Sequence, residues 1–242
     1  MSFTGCLNCS EIIIGNYCHK CVQKAATHRI TAKHFIAHDL VHGVWHVDKG
    51  ITFTLKETFT RPGYAALDYI AGKRIKYYNV FYLMLLVVGF LILAGDITGD
   101  VQPATHNNPD VANILYVLNY AARYIKYIFL AVVPLLAFNS FTLFKKLRLN
   151  YAENLIIAGF SLLGSYVIFL LSILIGKLSI TIESIIGPLM MFFPILVYYQ
   201  VTRGKYRLRS FIFRMLAFYG MLLTEILLLF FLAVKIYLFT KG

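Results

Sequence analysis

Acidic side chains are scarce in this chain. Its 242 residues hold 11 Asp and Glu against 23 Lys and Arg, a formal charge of +12, and charged residues of both signs make up only 14%. With a mean hydropathy of +0.70, that paucity excludes an ordinary soluble domain. A basic excess suggests nucleic acid only when it forms one patch. Here the basic residues flank long apolar runs, where they orient helices in membranes, so nucleic acid is not an expected partner. The chain also lacks a glycine-rich phosphate loop, a serine-nucleophile motif and a kinase signature. No basic and apolar leader precedes the first cysteine, and Ser2 stands where myristoylation needs glycine. The amino-terminal segment is therefore expected to stay on the side where it is made. Internal repeats and low-complexity tracts are missing as well.

Cysteine is absent after position 21, and the four present form two Cys-x-x-Cys pairs: Cys6 with Cys9, and Cys18 with Cys21. Each pair can turn both sulfurs toward one ion, and two pairs complete a four-thiolate tetrahedral shell of the kind that holds structural zinc. Iron suits the same donors and is the less favoured metal. The rival reading, two disulfides, needs an oxidising compartment. Glu11–Ile14 followed by Gly15-Asn16 reads as a short strand and turn, which sets the pairs on a small hairpin.

Residues 26–47 have helical character, with His34, His38, His42 and His46 on one stripe. His38 and His42 are candidates for a weak second metal site. The position after His42 lacks the Glu of a zinc hydrolase helix, so a solvated or headgroup-facing stripe is the plainer reading. Gly50 interrupts the helix, residues 51–59 continue as a second amphipathic piece, and Pro62 restarts the chain toward a stop at Gly72. Lys73, Arg74 and Lys76 then form a basic collar.

Five apolar runs have spanning length, near residues 78–95, 124–144, 153–176, 183–201 and 211–239. Prolines 134, 188 and 194 are expected to kink two of them. Ten basic residues precede the first run, three lie between the second and third, and five follow the fourth. That is 18 of the 23 on one face. Five crossings with the amino terminus inside and the carboxyl terminus outside satisfy this asymmetry, and a reducing cytosol keeps the thiols free.

Glu225 lies near the middle of the last run, where a charge is costly and faces the bundle interior. Threading brings Pro134, Ser165, Tyr166 and Phe193 to similar depth. Tyr166, Ser165 or a carbonyl freed by proline is then a partner for Glu225, either as a proton or cation site or as a hydrogen-bonded glutamic acid. Glu153 opens the third run beside basic neighbours, with a structural role as the default. Asp39 and Asp68 form no evident acid/base pair.

The order Cys-x-x-Cys, Cys21-Val22-Gln23, Asp48-Lys49-Gly50, Thr54-Leu55, Arg61-Pro62-Gly63, Asp68-Tyr69-Ile70-Ala71-Gly72-Lys73-Arg74 and Tyr78 resembles the bacterial domain of unknown function 3667 family. Tyr151-Ala152-Glu153-Asn154 looks like a further family motif, with Asn154 where the family pattern has His. Ser10 stands where the pattern has Gly, a change the metal shell is expected to tolerate. The resemblance implies a zinc-binding inner-membrane protein and carries no established activity.

The expected fold is an all-α integral membrane protein of about five transmembrane helices. An amino-terminal zinc-ribbon hairpin (1–25) and membrane-surface amphipathic helices (26–76) precede the bundle (77–242). The expected function is non-enzymatic: a scaffold, adaptor or regulator in the lipid bilayer whose ribbon meets a cytosolic protein. The alternatives are a small transporter or channel-like protein using Glu225, and a lipid-active enzyme built on His38, His42, Asp39, Glu57 and Arg61. Substrate, partner and oligomeric state are not written in the residues.

Overall fold

A computed structural model describes residues 5–25, 27, 29–31, 50–98, 131–176 and 180–241. The predicted helix over 26–47 with its histidine stripe lies outside the described residues, apart from its first few positions. So do the connection from residue 99 onward and the start of the second apolar run. The described chain is helical, with α1 at Gly50–Thr60, α2 at Pro62–Ile70 and α3 at Val80–Thr98. Next come α4 at Ala131–Leu143, a 3-10 turn at Lys145–Leu147, α5 at Tyr151–Gly176, α6 at Ile180–Thr202 and α7 at Leu208–Lys241.

Local chemistry sets several of these ends. Pro62 sits at the first position of α2, where its missing N–H costs nothing. At the other end Gly72, at φ +98°, takes the left-handed conformation that closes a helix. The Lys73 amide bonds to the Asp68 carbonyl at 3.0 Å and the Gly72 amide to the Tyr69 carbonyl at 3.2 Å. α5 starts with a reciprocal cap. The Asn150 amide donates to Glu153 Oε2, and the Glu153 amide donates to Asn150 Oδ1, both at 2.8 Å.

α5 is the axle of the fold. It packs chiefly against α6, then against α3 and α2, and Ile156, Ile157, Ala158, Phe160 and Leu163 are fully buried. Gly159 lets Val80 and Phe81 of α3 approach closely, while Gly164 seats the Phe193 ring of α6 where any Cβ would collide. A second packing centre joins the ends of α4, α6 and α7. Phe144 stacks on Tyr198 at 5.5 Å, and Tyr198 meets Phe218 at 5.0 Å.

Among the described residues, two helices are long and apolar enough to cross a bilayer by length and composition, α5 and the Leu208–Leu232 part of α7. Their surroundings differ sharply. In the most apolar window, 67% of α5 is buried inside the protein but only 11% of α7. Leu216, Leu223, Leu227, Leu228 and Phe231 of α7 all face outward. Three shorter apolar helices accompany them: Val80–Ala94, Ala131–Leu143 and Pro188–Thr202. Pro188 and Pro194 lie inside α6. Pro194 cannot donate to the Met190 carbonyl, and the Ser165 hydroxyl of α5 donates to that carbonyl instead, at 2.9 Å.

Candidate metal centre

The amino-terminal segment is built from two equivalent turns, twelve positions apart. In the first, the Cys6 amide donates to the Glu11 carbonyl (2.7 Å) and the Ser10 amide to the Cys6 carbonyl (2.8 Å). In the second, the Cys18 amide donates to the Gln23 carbonyl (2.9 Å) and the Val22 amide to the Cys18 carbonyl (2.8 Å). Each turn is closed by one antiparallel bridge, Gly5 with Ile12 and Tyr17 with Lys24. The expected strand over Glu11–Ile14 is reduced to the single bridge at Ile12. The pairs therefore sit on two separate knuckles rather than on one hairpin, because each turn spends its backbone groups internally.

Folding each pair back on itself forces the residue after the second cysteine into the left-handed region. Ser10 and Val22 both have φ +62°. That conformation favours glycine and is strained for a β-branched side chain. Ser10 thus carries a backbone cost, and the β-branched Val22 carries a larger one.

The two knuckles bring the four sulfurs to within 4.8 Å of one another. Cys6 and Cys21 approach to 3.5 Å, as do Cys9 and Cys18. All four are free thiols, far from the roughly 2.05 Å of a disulfide. Sulfurs about 2.3 Å from a central zinc lie about 3.8 Å apart, so the donor set and spacing fit a four-thiolate ion. Cys6 and Cys18 are buried and the other two half-buried. A hydrogen bond from the Asn8 side chain, joined by the Gln23 amide and neighbouring sulfurs, lowers the Cys21 thiol to about 6. At Cys9 the Glu11 backbone acts downward but is outweighed by desolvation and the three other sulfurs, which push it up to about 12. A cation at the centre removes that conflict, since thiolates are the ligands it takes.

The knuckles are clamped to the helices. Gln23, two residues past the last cysteine, is buried and donates to the Gly72 carbonyl at 2.8 Å. Leu7, between the first two cysteines, fills the space beside Gly72; a Cβ there would lie 2.6 Å from its Cδ1. Arg29 holds Glu153 through two nitrogens, at 2.6 and 2.8 Å, and donates to the Arg148 carbonyl at 3.3 Å. Asn150 donates from its side chain to the Ile30 carbonyl at 2.9 Å. The cap of α5 is thereby also the anchor of the amino-terminal segment.

Around this junction, small and polar residues each close one contact. Gly50 lies against the backbone of residues 76–78. The Thr54 hydroxyl accepts from the Tyr78 amide at 2.7 Å and donates to the Gly50 carbonyl at 2.7 Å. The Gly63 amide donates to Gln200 Oε1 at 2.8 Å, and a Cβ on Gly63 would lie 2.5 Å from the Val197 carbonyl. Arg61 bridges Glu57 (2.5 Å) and Asp68 (3.0 Å), and Lys73 adds a 2.7 Å bond to Asp68. Tyr77 donates to Glu57 at 3.3 Å, and its phenol is pushed up by burial first and by the Glu57 charge second. The collar folds back on α2, with the Arg74 guanidinium 5.7 Å from the centre of the Tyr69 ring.

Of the other sequence candidates, His38, His42 and Asp39 lie outside the described residues. Glu57 and Arg61 are paired with each other. Glu225 accepts a hydrogen bond from Asn139 Nδ2 of α4 at 3.0 Å. Asn139 is fully buried and its Oδ1 has no partner. Sequence reasoning missed Asn139, although a lone amide inside an apolar run is the kind of residue that seeks one. Tyr166 is buried in α5. Asn154 accepts from the Ser140 hydroxyl at 2.5 Å and donates to the Asn150 carbonyl at 2.9 Å, which fills a polar niche between α4 and α5.

Residues 48–91 match the model of a family described as Protein of unknown function (DUF3667). This agrees with the resemblance read from Asp48-Lys49-Gly50 to Tyr78. No curated protein and no solved structure matches the chain. The matched stretch is the one that supplies α1, α2, Gly72, the collar and most of α3.

Proposed function

We propose that this chain is a zinc-binding integral membrane protein of the bacterial inner membrane that works as a scaffold or regulator rather than as an enzyme. Five crossings carry it, the three shorter apolar helices joining α5 and α7, with the cysteine segment in the cytosol. The observation that carries the reading is the clamp. The backbone leaving Cys21 runs into the Gln23 bond to Gly72, and a few residues later into the Arg29 grip on Glu153. Metal that holds the knuckles folded also holds that clamp, because so short a segment cannot bury a core of its own. Ile12, Ile14, Tyr17 and Val22 stay exposed on the knuckles and offer a cytosolic protein an apolar contact. The family match carries no activity, and Glu57, Arg61, Asp68 and Lys73 at the junction are engaged with one another.

Metal analysis of the purified full-length protein tests this. Near-equimolar zinc, lost in Cys18→Ser, is the expected result; absence of both zinc and iron from metal-replete protein refutes it. A tag at Gly242 found in the cytosol refutes the topology. A second reading, a small transporter, draws on the unsatisfied Oδ1 of Asn139 beside Glu225. Proton or cation flux in proteoliposomes, abolished by Glu225→Gln, would favour it over the scaffold.

A further inference from the structure

The turn between α6 and α7 has no assigned role. It contains Arg203, Lys205 and Arg207, and Arg209 follows in the first turn of α7, all four exposed. None of the four has a carboxylate partner among the described ion pairs. Two more cations stand over the ring of Tyr206, Arg214 at 4.9 Å and Lys146 at 5.5 Å. The next acidic residue along the chain is Glu225. Basic residues on this face are the ordinary signal of membrane orientation, and by themselves they define no site.

What distinguishes this corner is a cavity of about 250 Å³ lined by Tyr199, Thr202, Arg203, Gly204, Tyr206, Leu208 and Phe211. It is smaller than the pockets of about 300–1,000 Å³ that engulf whole small molecules, so it suits a fragment such as a headgroup. Gly204, at φ +80° with open space where a Cβ would be, turns the chain past its mouth. The Lys205 and Tyr206 amides close that turn on the Thr202 carbonyl at 3.0 and 3.3 Å. Arg203 is held at the rim by a 3.5 Å bond to the Tyr64 hydroxyl. From the rim onward, Leu208, Ile212, Phe213 and Leu216 are exposed apolar residues along α7, with Arg209 and Arg214 between them in sequence.

We propose that this corner binds the phosphate headgroup of an anionic phospholipid, with its acyl chains along the outer wall of α7. The inference rests on the membrane reading above. A cationic rim, an aromatic lining and exposed apolar residues farther along α7 match the headgroup, glycerol and acyl parts of one lipid. A guanidinium recognises phosphate with two parallel N–H groups, and tyrosine belongs at the glycerol level. Free inorganic phosphate shares the headgroup chemistry but makes no use of the wall.

Native mass spectrometry of the full-length protein, loaded from detergent micelles containing phosphatidylglycerol or phosphatidylcholine, tests this. Retention of phosphatidylglycerol over phosphatidylcholine is expected. Arg203→Gln and, as an exposed second variant, Arg207→Gln should each weaken retention about five-fold, the effect of one basic residue at an anionic surface. Lys56→Gln, an exposed cation on α1, should change nothing. Equal retention of the two lipids, or an equal loss in Lys56→Gln, overturns the site. Displacement of the lipid by excess inorganic phosphate overturns the lipid as its occupant. A carbonate wash of membranes is run first: release of the protein refutes the membrane reading itself, whereas retention followed by unselective lipid binding refutes this site alone.

Discussion

Arg29 grips Glu153 across 124 positions of sequence, with Nε at 2.6 Å and a terminal nitrogen at 2.8 Å from the two carboxylate oxygens. The carboxylate is buried, with 3% of its side chain exposed, while the arginine is largely open to solvent. One acid thus does two jobs, capping α5 and mooring the cysteine knuckles. The Glu153 pair raises the hold of Arg29 on its proton, first by hydrogen bonding and then by charge.

Removing the arginine leaves a buried carboxylate served only by Asn150. Arg29→Ala should lower the melting temperature in detergent. Glu153→Gln should cost less, because the amide oxygen still accepts from the Asn150 amide. A double-mutant cycle that finds no coupling would detach the mooring from the cap.

Val22 and Ser10 carry left-handed strain that a glycine would not. Val22→Gly should tighten metal retention against a chelator. The gain is about 0.5–1 kcal/mol after the extra entropy of an unfolded glycine is subtracted. Ser10→Gly should shift in the same direction by less. Faster metal loss in both variants would contradict the strain account.

Gly63 allows α2 to lie against α6. In Gly63→Ala the methyl group would sit 2.5 Å from the Val197 carbonyl and the Gln200 Cβ. The helices must then part, at a cost of about 1–3 kcal/mol. Gly89→Ala, where nothing lies within 4 Å, serves as the clash-free comparison in the same melting assay and should be unchanged or slightly more stable.

Asp68 predicts an acid limit. Burial acts to raise its carboxyl, but Lys73 and Arg61 outweigh that and hold it below its ordinary value. A depressed folded pKa contributes stability that is full above the unfolded value, about 4, and is lost as pH falls through the folded one. Stability should therefore drop below about pH 4, and Asp68→Asn should flatten that part of the profile while lowering stability at neutral pH.

Glu225→Gln keeps an acceptor for Asn139, whereas Glu225→Leu leaves a fully buried amide with both ends unsatisfied. The leucine variant should be less stable than the glutamine variant by about 1–2 kcal/mol. A difference that is independent of pH speaks for a hydrogen bond and against a proton relay.

The cysteine tetrad was legible because Cys-x-x-Cys spacing is local: each pair is set by one turn, and the turns repeat at a fixed interval. The proline start of α2 and its glycine stop were legible for the same reason, since each depends on the dihedral freedom of one residue. Much less of the polar interior could be read. Ser165 was seen as a partner for Glu225, yet it bonds the carbonyl that Pro194 leaves free. Asn139, which does bond Glu225, had no neighbour in sequence to betray it. The strand expected after Glu11 shrank to one bridge because the Cys6 and Ser10 amides bond within their own turn.

The sequence by itself determined helix ends, the sulfur donor set and the apolar runs, because each follows from residues a few positions apart. Only the tertiary structure decided that Glu153 moors Arg29, that Gln23 rests on Gly72, and that α5 is interior while α7 faces out. Apolar runs of equal hydropathy look alike along a chain. Which one becomes the axle depends on where small residues such as Gly159 and Gly164 let neighbours approach, and that is a property of pairs of helices rather than of either alone.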